Sequence, residues 1–195
     1  MDDIVKQAMA KWPNVPHCYG WLALDARGNW RMRDDTAQRA NGPGDKLAHE
    51  ALIGFINRNY AHDDKGRWYF QNGPQRVYVN LEATPFIART DPAQGFVLHN
   101  GRTLPEVSGV FMTDAGAVIL QSGDILAQLD DRDVEQVLER MELAGRPASI
   151  EAIMAWLEDD TEELALVLGD ARVPAERLAA EAVPRRFGYV QTPGS

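Results

Sequence analysis

Arginines alternate with aromatic residues over much of the first hundred positions, and this pairing could recognise an acidic ligand. A guanidinium binds a carboxylate or phosphate, while a neighbouring ring holds an apolar body or stacks on the guanidinium. This pattern predicts a surface for a small acidic ligand or an acidic protein segment. In the alternative interpretation, the rings form the core of a sheet and the arginines its solvated edge. The candidate ligand-binding residues are Trp30, Arg31, Arg67, Trp68, Arg76 and Tyr78.

A second candidate for chemistry is the adjacent pair His17 and Cys18, which we consider as possible reactive residues. The pair offers a base and a soft nucleophile, as a hydrolase-type enzyme would require. Pro13 and Pro16 force an extended chain here, and neighbouring residues in a strand point to opposite faces. The two side chains therefore cannot readily act on the same substrate atom. We assign no catalytic residue and favour a non-enzymatic binding or regulatory module, with the hydrolase as the alternative.

Three motifs that would indicate a metal or a nucleotide are incomplete. His49-Glu50 begins a zinc-protease motif, but Ile53 stands where the second histidine is needed. The segment 42–46 resembles a phosphate-binding loop but lacks the Ser or Thr that follows its lysine. Acidic residues between 131 and 142 match several calcium-loop positions, yet Gln136 replaces the required glycine. The sequence therefore predicts no metal and no cofactor.

The charge differs between the two halves of the 195-residue chain. The net charge is −9, with 20 basic and 29 acidic residues, which argues against nucleic acid as a partner. Residues 1–105 carry 13 basic and 11 acidic side chains, whereas residues 106–195 carry 7 and 18. We predict a sheet-rich Arg/aromatic subdomain (1–105) and an acidic, more helical subdomain (106–195). One continuous domain is the alternative, and the charge difference also leaves a self-associating structural protein, such as a homodimer, open.

Composition and termini indicate a cytoplasmic bacterial protein without a membrane partner. No window approaches the roughly 18 apolar residues that a bilayer helix requires, and the start lacks the pattern of a signal peptide. Cys18 is the single cysteine, so the chain cannot form an internal disulfide. Arginine accounts for 16 of the 20 basic residues, which is typical of GC-rich bacterial genomes.

Hydropathy periodicity predicts an α+β fold in which short antiparallel sheets pack with amphipathic helices. Residues 34–45 contain Gly42, Pro43 and Gly44 and predict an exposed loop, and Asp45 is a candidate cap for the following helix. The predicted helices cover 4–12, 47–60, a segment after Asp130 or Asp131, a segment after Ser149, and 175–182. The predicted strands are a hairpin at 19–24 and 29–32, an antiparallel meander over 67–103, a pair at 109–112 and 117–121, and single strands at 164–168 and 186–190.

Two segments of the chain follow the same scheme. Gly20–Met32 and Gly109–Leu120 each contain a glycine, an apolar run, Asp-Ala, a glycine turn and a second apolar run. Each is followed later by an amphipathic helix. The pattern predicts a duplicated strand-hairpin-helix unit, although such hairpins are common and the similarity can be accidental.

Motifs between residues 20 and 90 resemble a known bacterial family. They are Gly28-Asn-Trp30, an amphipathic helix, Asp64-Lys-Gly66-Arg-Trp68-Tyr69, and a strand that runs from Arg76 through Glu82 to Pro85-Phe86. This order is similar to that of DUF1285, a domain of unknown function. The resemblance implies a repeated α+β architecture and suggests a signalling or regulatory role. It supplies no catalytic residues.

Overall fold

The protein contains two compact units, each with its own open β-sheet. A computed structural model describes residues 1–159 and 162–194. The first unit comprises residues 1–85 together with the C-terminal segment from Phe187, and the second comprises Phe86–Arg186. The predicted α+β class is confirmed, with helices packed beside two many-stranded sheets.

The first unit has a six-stranded sheet in the order β3-β2-β1-β6-β5-β4. All neighbours are antiparallel except β1 and β6, which pair in parallel at the centre. The strands are β1 (Cys18–Leu24), β2 (Trp30–Met32), β3 (Asp45–Lys46), β4 (Tyr60–His62), β5 (Trp68–Asn72) and β6 (Gln75–Leu81). The helices are α1 (Asp3–Lys11), α2 (Asp35–Arg39) and α3 (Glu50–Arg58).

This sheet is strongly curved. The rings of Trp30 on β2 and Tyr60 on β4 lie 5.1 Å apart, centroid to centroid. These strands are four steps apart in the sheet, which would separate them by about 19 Å if the sheet were flat. Helix α3 packs on the same face, where Phe55 contacts Phe70 edge to face at 5.4 Å. The apolar side chains on this side therefore form the core of the unit.

Helix α3 begins at Glu50, three residues later than the sequence predicts. Its N-cap is His49, whose Nδ1 accepts a hydrogen bond from the Leu52 amide at 3.2 Å. Asp45, the predicted cap, instead lies in β3, where it pairs with Met32. A short edge strand thus occupies the residues between the loop and the helix.

The segment predicted as a loop, residues 34–45, contains helix α2, and the buried Arg33 side chain hydrogen-bonds to its backbone. Asp34 caps α2 by accepting a hydrogen bond from the Ala37 amide at 2.7 Å. Arg33 is only 7 % exposed and donates to the carbonyl oxygens of Gly42 and Gly20 at 2.9 and 3.4 Å. Neutral oxygens therefore solvate this buried guanidinium and hold the segment in place.

The C-terminal segment adds a short pairing to the first sheet. The Leu81 amide donates to the Gln191 carbonyl at 2.7 Å, and the Val190 amide donates to the Gly66 carbonyl at 3.0 Å. Gly66 has a φ of +71°, and a Cβ at this position would lie 1.9 Å from the Gly188 carbonyl oxygen. Only glycine fits both the backbone conformation and the close approach.

Gly66→Ala is expected to destabilise the protein by about 2 kcal/mol, because a positive φ is costly for alanine and the clash displaces the C-terminal segment. Urea unfolding monitored by circular dichroism measures the loss. Gly101→Ala is a matched control, since Gly101 has a φ of +80° but open space around its Cβ position. Equal losses in the two variants would show that the C-terminal contact contributes nothing.

The second unit has a nine-stranded sheet in the order β13-β12-β14-β15-β9-β10-β11-β7-β8. Two of its pairings are parallel, β15 with β9 and β11 with β7. The strands are β7 (Phe86–Asp91), β8 (Gly95–Leu98), β9 (Gly109–Thr113), β10 (Val118–Ser122), β11 (Ile125–Leu129), β12 (Met141–Leu143), β13 (Arg146–Pro147), β14 (Leu164–Leu168) and β15 (Ala171–Leu178). The α-helices are α4 (Val134–Leu138), α5 (Ile150–Glu158) and α6 (Val183–Phe187), and 3-10 turns cover Asp131–Asp133 and Ala180–Ala182.

Three predictions for this part of the chain are corrected. The segment 175–182 is mostly strand, and the segment 186–190 forms the end of α6 and a single bridge at Val190 rather than a strand. The meander predicted over 67–103 is divided, because β5 and β6 belong to the first sheet whereas β7 and β8 belong to the second. The prediction that Ser149 caps a helix is confirmed, since its Oγ accepts a hydrogen bond from the Ala152 amide at 3.2 Å.

The structural division differs from the division by charge. The boundary predicted near Leu104-Pro105-Glu106 lies inside the second unit, which begins at Phe86. Strands on both sides of Phe86 have the same period-two pattern, so the pattern does not reveal where one sheet ends. The charge difference persists across the structural units, with 11 basic and 10 acidic residues in the first and 9 and 19 in the second. Within residues 1–159 and 162–194, no helix has the length and apolar character needed to cross a membrane.

Candidate functional site

The six candidate ligand-binding residues lie on two opposite faces of the first sheet. Trp68 and Trp30 belong to the face that also bears Phe70 and packs against α3, which we call the helix face. Tyr78 pairs with Tyr69 on the other face, which we call the tyrosine face. Arg31, Arg67 and Arg76 share the tyrosine face by strand alternation and by their contacts. The structure therefore separates both indoles from the arginines.

On the helix face the two tryptophans serve mainly as core. Trp30 is 2 % exposed, and its Nε1 donates to Asn57 Oδ1 at 2.7 Å. Trp68 is half-buried and contacts the rings of Tyr60 and His62, both at 4.8 Å between centroids. The alternative interpretation, in which rings form the core of the sheet, thus describes Trp30 well.

Tyr78 is the centre of the opposite face. It is fully buried, and Tyr19 stacks on it with centroids 4.7 Å apart and planes inclined by 3°. Tyr69 and His17 each meet the Tyr78 ring edge to face at 5.7 Å. We call Tyr19, Tyr69 and Tyr78 the tyrosine cluster. Offset-stacked and edge-to-face pairs of this kind add stability beyond the area they bury.

A carboxylate links the tyrosine cluster to Arg67. Asp63 Oδ2 accepts hydrogen bonds from Arg67 Nε at 2.9 Å and from the Tyr78 hydroxyl at 3.1 Å. The Arg67 guanidinium also lies 4.7 Å from the Tyr78 ring centroid. Burial alone would raise the pKa of Asp63, but hydrogen bonds from the Arg67 amide and guanidinium and from Tyr78 lower that pKa to about 2. Asp63 is therefore ionised at neutral pH and neutralises Arg67.

Arg76 and His17 differ from Arg67 in their polar partners. The Arg76 guanidinium lies 4.5 Å from the Tyr69 ring centroid. Among the described residues no carboxylate forms an ion pair with Arg76, and no group hydrogen-bonds the exposed His17 ring. Cys18 pairs with Val77 on neighbouring parallel strands, so His17 lies beside Arg76 in register. The tyrosine face therefore carries two neighbouring donors for an anion.

His17 and Cys18 do not form a catalytic pair on one face. Cys18 shares the register position of Val77 on the helix face, whereas the His17 ring contacts Tyr78 on the tyrosine face. Burial raises the pKa of the Cys18 thiol, which favours the protonated and less nucleophilic form. The two side chains thus have separate environments.

Arg31 has its own carboxylate away from the tyrosine cluster. Its Nε donates to Asp25 Oδ2 at 2.8 Å, and a second nitrogen donates to the Gly44 carbonyl at 3.2 Å. Asp25 also accepts from the Asn29 amide at 2.8 Å. The pair therefore stabilises the turn between β1 and β2, and the Arg31 charge is balanced.

The six predicted candidates do not include three residues of the site, Tyr19, Tyr69 and Asp63. Strand alternation would have placed Tyr69 on the face of Arg67, because it stands two residues after that arginine. Asp63 precedes Arg67 by four positions across a glycine turn, which the sequence does show. Tyr19 reaches Tyr78 only because β1 and β6 pair in parallel, which no local pattern indicates. Over the described part of the chain, no group of three His, Cys, Asp or Glu side chains is arranged to hold a metal ion.

Two solved structures are similar to this chain, and the first of them shares its fold. A crystal structure of a DUF1285 family protein from Silicibacter pomeroyi DSS-3 has a TM-score of 0.52 at 13 % identity, covering 95 % of this chain and 100 % of that one. A DUF1285 family protein from Shewanella baltica OS155 has a TM-score of 0.39 at 15 % identity, covering 57 % of this chain and 85 % of that one. The first similarity confirms the predicted resemblance to DUF1285 at the level of the fold.

The family comparison covers nearly the whole chain. No curated protein matches the chain. A family model, DUF2944, with the description "Protein of unknown function (DUF2946)", matches residues 1–194. The chain therefore belongs to the DUF2944 family of proteins of unknown function.

Proposed function

We propose that the protein is a non-enzymatic binding or regulatory module of the bacterial cytoplasm that recognises an acidic group, on a small ligand or on a protein segment, at the tyrosine face of the first unit. The observation that supports it most is Arg76, a half-buried guanidinium on the Tyr69 ring without a carboxylate partner among the described residues. The neighbouring His17 offers a second donor.

The electrostatics of the cluster favour an anion. Asp63 balances the charge of Arg67, so Arg76 leaves one net positive charge on a surface of aromatic rings. Partial burial weakens the competition of water for the guanidinium, and charge-assisted bonds to a carboxylate are stronger than neutral ones. A carboxylate or phosphate at this position would complete the partners of Arg76.

We expect Arg76→Gln to reduce the affinity for acidic probes at least about tenfold, because one charge-assisted hydrogen bond is worth roughly 1.5–3 kcal/mol. Succinate and a hexaglutamate peptide serve as the two probes, titrated by NMR at low salt. Arg39→Gln removes the same charge from an exposed helix position of the same unit and should leave both affinities unchanged. The proposal would be refuted if neither probe bound, or if Arg76→Gln and Arg39→Gln lost the same amount of affinity.

The proposal includes a duplicated architecture. In the first unit β1 pairs in parallel with β6, and β2 and β3 extend the sheet on one side while β5 and β4 extend it on the other. In the second unit β9 pairs in parallel with β15. Strands β10 and β11 extend that sheet beside β9, as β2 and β3 do beside β1, and β14 and β12 extend it beside β15, as β5 and β4 do beside β6. This shared strand order supports two copies of one folding unit. A crystal structure in which Asp25 and Asp114 failed to superpose when these strands are aligned would argue against it.

We also propose that the chain can self-associate, as a homodimer, through its unequal charges. The second unit has 19 acidic residues against 9 basic ones, whereas the first is nearly balanced and exposes arginines. Attraction between such surfaces is screened by salt. Sedimentation should therefore detect a dimer at low ionic strength that dissociates at high ionic strength. A monomer under both conditions would exclude this mode of assembly.

A further inference from the structure

The half-buried ring of Tyr19 combines a supported face with remaining exposure. Tyr78 stacks on one side of the ring at 4.7 Å and 3°, and Tyr78 is itself fully buried and hydrogen-bonded to Asp63. Within the described residues, no other ring and no cation stacks on Tyr19. The ring is therefore supported on one side by a buried partner and keeps part of its surface exposed to solvent.

Tyr19 lies near the two anion donors. His17 precedes Tyr19 by two residues, just before β1, and its ring touches the same Tyr78 ring that supports Tyr19. Arg76 is two residues from Tyr78 on β6, on the same face and beside His17 in register. A flat apolar surface and a cationic group thus stand within the reach of one small molecule.

We infer that the acidic ligand is a planar aromatic acid, whose ring stacks on Tyr19 while its carboxylate binds Arg76 and His17. This inference rests on the proposed function and adds the class of ligand to it. A flat ring forms an offset stack with tyrosine, whereas a puckered aliphatic ring of the same size gains only the burial of its apolar surface. Stacking of this kind corresponds to a roughly 2- to 12-fold gain in affinity.

Benzoate and cyclohexanecarboxylate provide the test, because both have seven carbons and one carboxylate but only benzoate is planar. In NMR titrations at neutral pH, the wild-type protein should bind benzoate roughly 2- to 12-fold more tightly. Tyr19→Leu should abolish this preference and leave the affinity for cyclohexanecarboxylate nearly unchanged. Tyr19→Trp, which keeps a flat ring, should retain the preference. It shows whether a change at position 19 by itself disturbs the fold. Arg76→Gln should weaken both acids by the same factor.

The outcomes distinguish the inference from the proposed function. Equal affinities for the two acids, both reduced by Arg76→Gln, would overturn the aromatic class and leave the acid-binding site standing. A preference for benzoate that persists in Tyr19→Leu, with that variant folded by circular dichroism, would also overturn it. Failure of both acids to bind, together with failure of succinate and hexaglutamate, would refute the site itself.

Discussion

Tyr78→Ala should destabilise the first unit by roughly 3–5 kcal/mol, the loss typical for truncation of a buried aromatic residue. Tyr78 is fully buried, and its ring contacts Tyr19, Tyr69 and His17. The truncation leaves a cavity between these rings and removes a donor to Asp63. Because this loss is a large part of the stability of a domain, the variant should expose the β5 and β6 amides to rapid hydrogen exchange.

Two conservative variants separate the ring from its hydroxyl. Tyr78→Phe keeps the packing but removes a hydrogen bond to the Asp63 carboxylate, so a smaller loss of about 1–2 kcal/mol is expected. Tyr19→Phe is the control, because no hydrogen bond of the Tyr19 hydroxyl is found among the described residues. Hydrogen exchange of peptides covering 68–81 measures all three variants. Equal protection in Tyr78→Ala and wild type would mean that the cluster does not stabilise the sheet.

The second large effect is a loss of stability below neutral pH that depends on His99 in the second unit. Its Nδ1 accepts a hydrogen bond from the Ile87 amide at 3.2 Å, and its own amide donates to the Ile87 carbonyl at 2.7 Å. Burial lowers the pKa of His99 from 6.5 to about 4. The folded protein therefore holds the neutral imidazole, in the form that the Ile87 hydrogen bond requires.

The sign of the pH dependence follows from the two pKa values. Above pH 6.5 the ring is neutral in both states, so the stabilisation is complete. As the pH falls from 6.5 to about 4, the unfolded chain binds a proton that the folded protein does not, and stability declines. Over this interval the loss amounts to about 3 kcal/mol. Below it, the carboxylates of Asp63 and Asp130, each with a pKa of about 2, add a further loss.

His99→Asn isolates this contribution, because an amide oxygen can accept from the Ile87 amide but does not titrate. Urea unfolding between pH 7.5 and 4 should give a nearly constant free energy for the variant and a falling one for the wild type, by up to about 3 kcal/mol. His49→Asn is the matched control, since His49 also accepts a backbone amide but at an exposed helix cap. Parallel curves for His99→Asn and wild type would disprove the role of His99.

The local sequence pattern predicted most residues of the candidate site, but it did not predict which of them lie together on one face of the sheet. Aromatic and arginine residues were predicted to form a ligand surface, and all six candidates lie on β2, β5 or β6 or, in the case of Arg67, directly before β5. Strand alternation points the side chains of Arg67 and Trp68 to opposite faces of the sheet, and it does the same for Trp30 and Arg31. Each pair of sequence neighbours is therefore divided between the two faces. The same rule, applied to His17 and Cys18 from the sequence, correctly predicted their separation.

The segment 175–182 shows how tertiary structure overrides local preference. Its alanines, glutamates and arginine favour a helix by propensity. In the structure, residues 171–174 pair with β14 and residues 175–178 pair with β9, so this part of the segment is hydrogen-bonded in a sheet. Helix propensity spans only a few tenths of a kcal/mol per residue here, which is less than pairing with β9 and packing against the neighbouring strands provide.

The sequence by itself determined the α+β class, most hairpins, the cap of α5 and the charge difference along the chain, because periodicity, turn residues and composition are local properties. Only the tertiary structure decided that β1 pairs with β6, that residues 187–194 return to the first unit, and that Tyr19 stacks on Tyr78. These contacts join residues that are distant along the chain, and their geometry depends on the curvature and register of whole sheets. No short window of sequence carries that information.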